Sequence, residues 1–182
     1  MAALPEVLVA GPVLLRCWRP DMAGAMLVAV EESMPELEQW MPWAQEAPTL
    51  AGLREVLRSG ESEFHADRSW EYAIVDAGSD EIIGSLGVHR TRDLDTFEIG
   101  YWVRTSRTRR GVATRAARTV IGAVSTGLAS ARTVVIRMDE ANVASASVPP
   151  KLGFTLTATE AREIDAPGQT GRGLVWSLAL PG

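Results

Sequence analysis

The sequence predicts one mixed α/β domain, and three observations carry that prediction. Segments with apolar residues at helical spacing are interleaved with short runs that alternate or are rich in β-branched and aromatic residues. Three of the strand-like runs follow one another with only short turns between them, which favours an antiparallel core of the sheet. The 182 residues, 46% of them hydrophobic, show no composition break, internal repeat or low-complexity tract, so residues 1–182 are expected to form a single domain around one substantial core.

In order, Val13 to Trp18 is a short apolar strand. Pro20 and Asp21 suit the cap and first turn of a helix, in which Ala23, Met26, Leu27 and Val30 recur up to about Ser33. Met34 to Pro48, with three prolines, is expected to be at most a broken helix. Thr49 caps a second helix carrying Leu53, Val56 and Leu57 and running toward Arg68. Trp70–Val75 and Ile82–His89 read as a hairpin turning at Asp76 to Asp80. Phe97–Val103 alternates, with Phe97, Ile99, Tyr101 and Val103 on one face and Glu98, Gly100 and Trp102 on the other. A helix from Gly111 presents Ala113, Ala116, Ala117, Val120, Ile121 and Val124, and Gly127 ends or loosens it. Thr133–Met138 reads as a buried strand. Asn142 can cap a short helix through Val148 that Pro149-Pro150 stops or kinks. Phe154–Thr159 and Gly173–Leu180 are the last strands. The expected order is β-α-α-β-β-β-α-β-α-β-β.

Charge narrows the function. The chain carries net charge -5, yet no Asp or Glu occurs from Ile99 to Met138, and Arg104, Arg107, Arg109 and Arg110 crowd one turn. That turn joins a strand to a helix start, where unpaired N–H groups and the helix dipole favour an anion. A phosphorylated ligand fits better than nucleic acid, which needs a broader basic surface. The single Cys17 excludes an intramolecular disulfide, and His65 and His89 form no metal-ligand spacing, so no metal is expected. The N-terminus lacks the pattern of a signal peptide, and no apolar run approaches the ~20 residues of a membrane span, so a cytoplasmic protein is expected. A nucleotide kinase or phosphatase is disfavoured, because a Gly-x-x-x-x-Gly-Lys-(Ser/Thr) loop and an acidic metal cluster are both missing.

The chain resembles the GCN5-related N-acetyltransferases, in the branch typified by ribosomal-protein N-terminal acetyltransferases. The resemblance runs from Leu15 to Leu180 and rests on Trp40-Met-Pro-Trp43, Glu98-Ile-Gly-Tyr-Trp-Val103, Arg110-Gly-Val-Ala-Thr114 and Asn142-x-x-Ser145-x-x-Val148-x-x-Lys151-Leu-Gly-Phe154. It implies that family's acyl-CoA fold, acetyl-CoA as donor, an amine of a protein N-terminus, an amino acid or a small molecule as acceptor, and homodimers by analogy. The family's pyrophosphate turn maps to Thr108–Ala113, with Thr108 departing from the usual Arg or Gln. Cofactor contacts are thereby expected at Arg109, Arg110, Gly111, Val112, Ala113 and Thr114. Trp102 and Val103 map to the strand that pairs with the pantetheine arm, Asn142 to an asparagine beside that arm, and Ser145 to the proton donor for the leaving thiolate.

Glu98 is the candidate base, against a role as an ion-paired strand glutamate. Asn142 can equally be a helix cap. Trp40 and Trp43 can wall the acceptor pocket or simply pack under a proline-rich loop. Glu31, Glu32, Glu36 and Glu38 can attract a cationic acceptor or lie on a solvated face. His89, Lys151 and Cys17 read as structural. A non-catalytic acyl-CoA-binding module is the alternative function, supported by Thr108 and Pro149-Pro150.

Overall fold

The computed structural model describes residues 4–181; the first three residues of the segment read above for a signal peptide lie outside them. Eight strands form one sheet: β1 (Val7–Ala10), β2 (Val13–Cys17), β3 (Ser69–Asp76), β4 (Ile82–Arg90), β5 (Thr96–Val103), β6 (Thr133–Asp139), β7 (Thr155–Ala161) and β8 (Arg172–Ala179), in spatial order β1-β2-β3-β4-β5-β6-β8-β7. Helices α1 (Ala23–Trp40), α2 (Leu50–His65), α3 (Val112–Gly127) and α4 (Val143–Ala146) connect them. The mixed α/β architecture follows the predicted order with one addition. β1, four residues with Val7 and Val9 exposed, pairs antiparallel with β2 at the sheet edge, and so short a run carries little periodic signal.

Alternation divides the core. Tyr72 and Ile74 of β3, with Phe97 and Ile99 of β5, pack on the face covered by α3, whose Ala116, Ala117, Val120 and Val124 are buried. Ala73 and Val75, with Trp102 against them, face α1 and Leu53 and Leu57 of α2. Val56 lies outside this stripe and is exposed. Thr49 caps α2 as expected, its Oγ1 accepting from Gly52 N at 3.1 Å.

Helix α1 overturns the broken-helix expectation. It runs unbroken through Pro35 to Trp40. Proline there removes the donor to the Glu31 carbonyl, but Glu31 and Pro35 are exposed, so water can serve that group, while burial of Ser33 and Leu37 holds the last turns against the sheet. Tertiary packing outweighs the local penalty. Pro20–Met22, by contrast, form a 3-10 turn leading into α1.

Among the described residues, every strand pair is antiparallel except β5 and β6. Their parallel ladder spans only Thr96↔Thr133, Phe97↔Val134 and Glu98↔Val135, whereas β5 stays paired with β4 as far as Val103↔Gly84. Beyond Glu98 the two strands part, leaving the β6-facing edge of β5 without a ladder. Gly84 seats β5 at this opening, since a Cβ there would stand 2.3 Å from the Trp102 carbonyl oxygen and 3.1 Å from Val103 Cα. Gly84→Ala is expected to cost about 1–3 kcal/mol, as overpacking does. The melting temperature should fall by about 2–10 °C for a chain of this size, and a melt within about 1 °C of wild type would contradict the close approach.

Candidate active site

The parting of β5 and β6 opens a groove of about 1250 Å³, which takes lining residues from both faces of the sheet. At one end lies the start of α3. Its N-cap Gly111 has φ 73° and Arg109 has φ 60°, both left-handed. Left-handed residues at alternate positions turn successive N–H groups to one side, and the first N–H groups of the 16-residue helix add to them. A non-glycine residue such as Arg109 in this region stores about 1–3 kcal/mol of strain, which concentrates at functional sites. Arg107 to Arg109 and Gly111 to Thr114 line the groove, whereas Arg110 does not, and its carbonyl accepts from Arg115 Nη1 at 3.0 Å.

The four arginines of the turn divide in a way that sequence alone did not reveal. Arg104 is bound to Glu32 of α1 through Nε at 2.6 Å and Nη2 at 2.5 Å, and Arg107 lies against Glu81 and, at 3.7 Å, Asp76. Their charges are already balanced within the fold, which corrects the reading of four cations free for a ligand. The turn is fastened to α1 by three further bonds: Ser106 N to Glu32 Oε1 (3.0 Å), Thr105 N to Ser33 Oγ (3.1 Å) and Thr105 Oγ1 to Glu36 (2.8 Å).

The Arg104 side chain, with the hydroxyl and N–H of Ser106, holds the Glu32 carboxyl down at about 2 against its ordinary 4.5. A depressed carboxylate contributes stability that is present above the unfolded value and is lost as pH falls through the folded one. Glu32→Gln should therefore flatten the loss of melting temperature between pH 4.5 and 2. An acid limb identical to wild type would show that the clasp contributes nothing.

The middle of the groove is β5 from Glu98 to Val103 facing Ile136 to Asp139 of β6. Glu98 accepts from Arg137 Nη1 at 2.5 Å through Oε2, so the glutamate is both in the groove and ion-paired. Arg137, the one charge in the apolar run Thr133–Met138, was the signal in the sequence for this partner. Helix α4 lies beside the opening. It is a single turn, ending at Ala146 rather than Val148, and Pro149–Leu152 continue as a 3-10 turn closed by Gly153 at φ 85°. Asn142 caps it, Oδ1 accepting from Ser145 N at 3.1 Å, and both Asn142 and Ser145 line the groove.

The far end comprises Glu36, Leu37, Trp40 and Met41 of the α1 region, with Arg162, Glu163, Asp165 and Gln169 from the β7–β8 connection. That connection holds Pro167, Gly168 and Gly171. It is pinned on one side by Gly168 N to Gln39 O (2.9 Å) and Gln169 Nε2 to Trp40 O (3.2 Å). On the other side Asp139 Oδ2 accepts from Thr170 N (2.9 Å) and Gly171 N (3.2 Å). Burial alone would raise the Asp139 carboxyl, but the N–H groups of Ala141, Thr170 and Gly171 and the Thr170 hydroxyl outweigh it and lower it. Trp43 is not in the groove wall. It is 49% exposed and leans on Trp102 with ring centroids 6.5 Å apart. Glu31 and Glu38 are exposed and also outside the lining.

Two other groups stand apart from the groove, and a third lies at its margin. His89 bonds Glu71 at 3.1 Å, which raises its proton affinity. Burial pushes the Cys17 thiol up to about 11, which keeps it un-ionised and inert. Lys151 lies at the groove margin and is exposed.

Among solved structures, the fold is shared with the ribosomal L7/L12 alpha-N-protein acetyltransferase RimL in complex with coenzyme A (18% identity over 96% of this chain and 98% of that one, TM-score 0.88). It is shared also with the microcin C7 self-immunity acetyltransferase MccE in complex with acetyl-CoA and AMP (15%, 98% and 99%, TM-score 0.87). A third structure with this fold is Mycobacterium smegmatis RimJ in complex with CoA-disulfide (23%, 96% and 84%, TM-score 0.82). No curated protein matches the sequence. Residues 13–155 match the family described as acetyltransferase (GNAT) domain, most of the chain and all of β2 to the start of β7. The chain belongs to the GNAT acetyltransferases.

Proposed function

We propose that the chain transfers an acetyl group from acetyl-CoA to the primary amine of a cationic acceptor, by direct attack within the groove. One observation carries the reading: the parting of β5 and β6 joins an anion cradle on the α3 face to an acidic, tryptophan-walled mouth on the α1 face. The N–H groups of Arg109, Gly111, Val112, Ala113 and Thr114, with the Arg109 side chain, would hold the pyrophosphate. The free edge of β5 at Trp102 and Val103 would pair with the pantetheine amides, and Asn142, although spent on its cap through Oδ1, retains its side-chain NH₂ for the same arm. The thioester supplies an already activated acetyl group, so the chain need not provide a covalent nucleophile.

The remaining work falls to residues of the groove. Glu36, Glu163 and Asp165 outnumber Arg162 at the mouth and would draw in an ammonium group, with the Trp40 ring beside it. The amine must lose a proton before it attacks. Glu98 would take that proton directly or through water, with Arg137 fixing its carboxylate. Ser145 would return a proton to the leaving thiolate. The resemblance to ribosomal N-terminal acetyltransferases supports a protein N-terminus as the acceptor, with amino acids and small amines as the alternatives. Ser145 keeps its place in the lining despite Pro149-Pro150, which favours catalysis over a non-catalytic binding module. Release of free thiol from acetyl-CoA, followed across a panel of peptide, amino-acid and small-molecule amines, tests the reading. Turnover that depends on a cationic amine supports it; binding of acetyl-CoA without amine-dependent thiol release would leave the module.

A further inference from the structure

In an uninterrupted α-helix the carbonyl of residue 145 accepts from the N–H of residue 149. Here residue 149 is proline and has no such donor. The Ser145 carbonyl is nevertheless served twice: by Val148 N at 3.1 Å, a tight 3-10-type bond, and by the phenolic hydroxyl of Tyr101 at 3.1 Å. Tyr101 stands on β5, in the groove wall, 44 residues upstream of Ser145.

We propose that Tyr101 is the positioning residue for Ser145, its hydroxyl replacing from the neighbouring strand the donor that Pro149 removes. The proposal rests on the reading of Ser145 as proton donor and explains how that role survives the proline pair. Ser145 is held at both ends of its backbone, its N–H by Asn142 Oδ1 at 3.1 Å and its carbonyl by Tyr101, so a helix of one turn suffices to aim it. Its own hydroxyl stays available. Ser145 Oγ donates only a long bond, at 3.4 Å, to the Tyr101 oxygen, so a closer acceptor can take it over. Burial pushes the Tyr101 phenol up to about 12, so it keeps its proton, and can donate, throughout the working pH range.

The test is a rescue. Tyr101→Phe keeps the ring and removes the hydroxyl, while Pro149→Ala restores an N–H at residue 149. Steady-state kinetics with acetyl-CoA and the best amine of the panel are measured for Y101F, P149A, the double variant and S145A. Y101F should lower kcat about tenfold to thirtyfold, as misplacement of a reacting group does, while KM for acetyl-CoA moves less than about threefold. In the double variant, kcat should return to within about threefold of P149A, because the new N–H takes over the Ser145 carbonyl. If Y101F is too unstable to assay, the same rescue is read in melting temperature, the double variant melting as high as P149A. Wild-type kcat in Y101F with a slow S145A would overturn the positioning role and leave Ser145 as donor. A double variant as slow as Y101F would show that Tyr101 acts elsewhere than on this carbonyl, and would overturn it as well. Wild-type kcat in S145A would instead remove the reading on which the proposal rests.

Discussion

Gly111→Asp is expected to weaken acetyl-CoA binding by at least about a hundredfold, or ~2.7 kcal/mol. Two effects combine. Gly111 sits at φ 73° as the N-cap of α3, a conformation that a side chain bears at a cost of about 1 kcal/mol or more. The new carboxylate would also stand where the cradle is proposed to receive pyrophosphate, and like charges at close range in a partly enclosed groove repel strongly. The cost to the fold is confined to that backbone strain, because an added Cβ would meet Arg115 Nη1 at 3.7 Å, ordinary contact and not a clash. Calorimetry on a variant that melts close to wild type therefore isolates the binding effect. Affinity within about threefold of wild type would show that the start of α3 does not hold the phosphates.

Glu98→Gln should lower kcat by about a hundredfold at neutral pH, the lower end of what general-base catalysis supplies. Glutamine keeps an oxygen for the Arg137 bond, now 2.5 Å, so the groove wall should stay in place. What it loses is the capacity to accept a proton. The deficit should then shrink as pH rises toward the pKa of the acceptor amine, where the attacking form is present without help. The measurement is a kcat profile from pH 6 to 10 for both proteins with one amine. Parallel profiles with similar kcat would reduce Glu98 to the partner of Arg137.

The parts of the site that were legible in the sequence are those set by local chemistry. The alternation of Phe97 to Val103, the start of a helix at Gly111, the Thr49 cap and the Asn142 cap all depend on residues within a few positions of one another. What escaped depends on distant partners. Arg104 is balanced by Glu32 and Arg107 by Glu81, 72 and 26 residues away, so counting arginines overstated the charge free for a ligand. The β7–β8 connection reaches the mouth only because Asp139 and the end of α1 hold it there. Helix α1 passes through Pro35 because the burial of Leu37 outweighs one missing hydrogen bond on an exposed side. Pro149-Pro150 shortened α4 as proline chemistry requires, but the compensating hydroxyl of Tyr101 lies 44 residues upstream and left no local trace.

The central claim is that the cradle at the start of α3 binds acetyl-CoA, and titration calorimetry on the wild-type chain beside Arg109→Ala and Arg110→Ala tests it most directly. The account predicts one site of micromolar affinity, about -8 kcal/mol. It also predicts weakening in Arg109→Ala, a residue of the groove lining, and little change in Arg110→Ala, which lies outside that lining. No binding by the wild-type chain, or equal weakening by both variants, would contradict it.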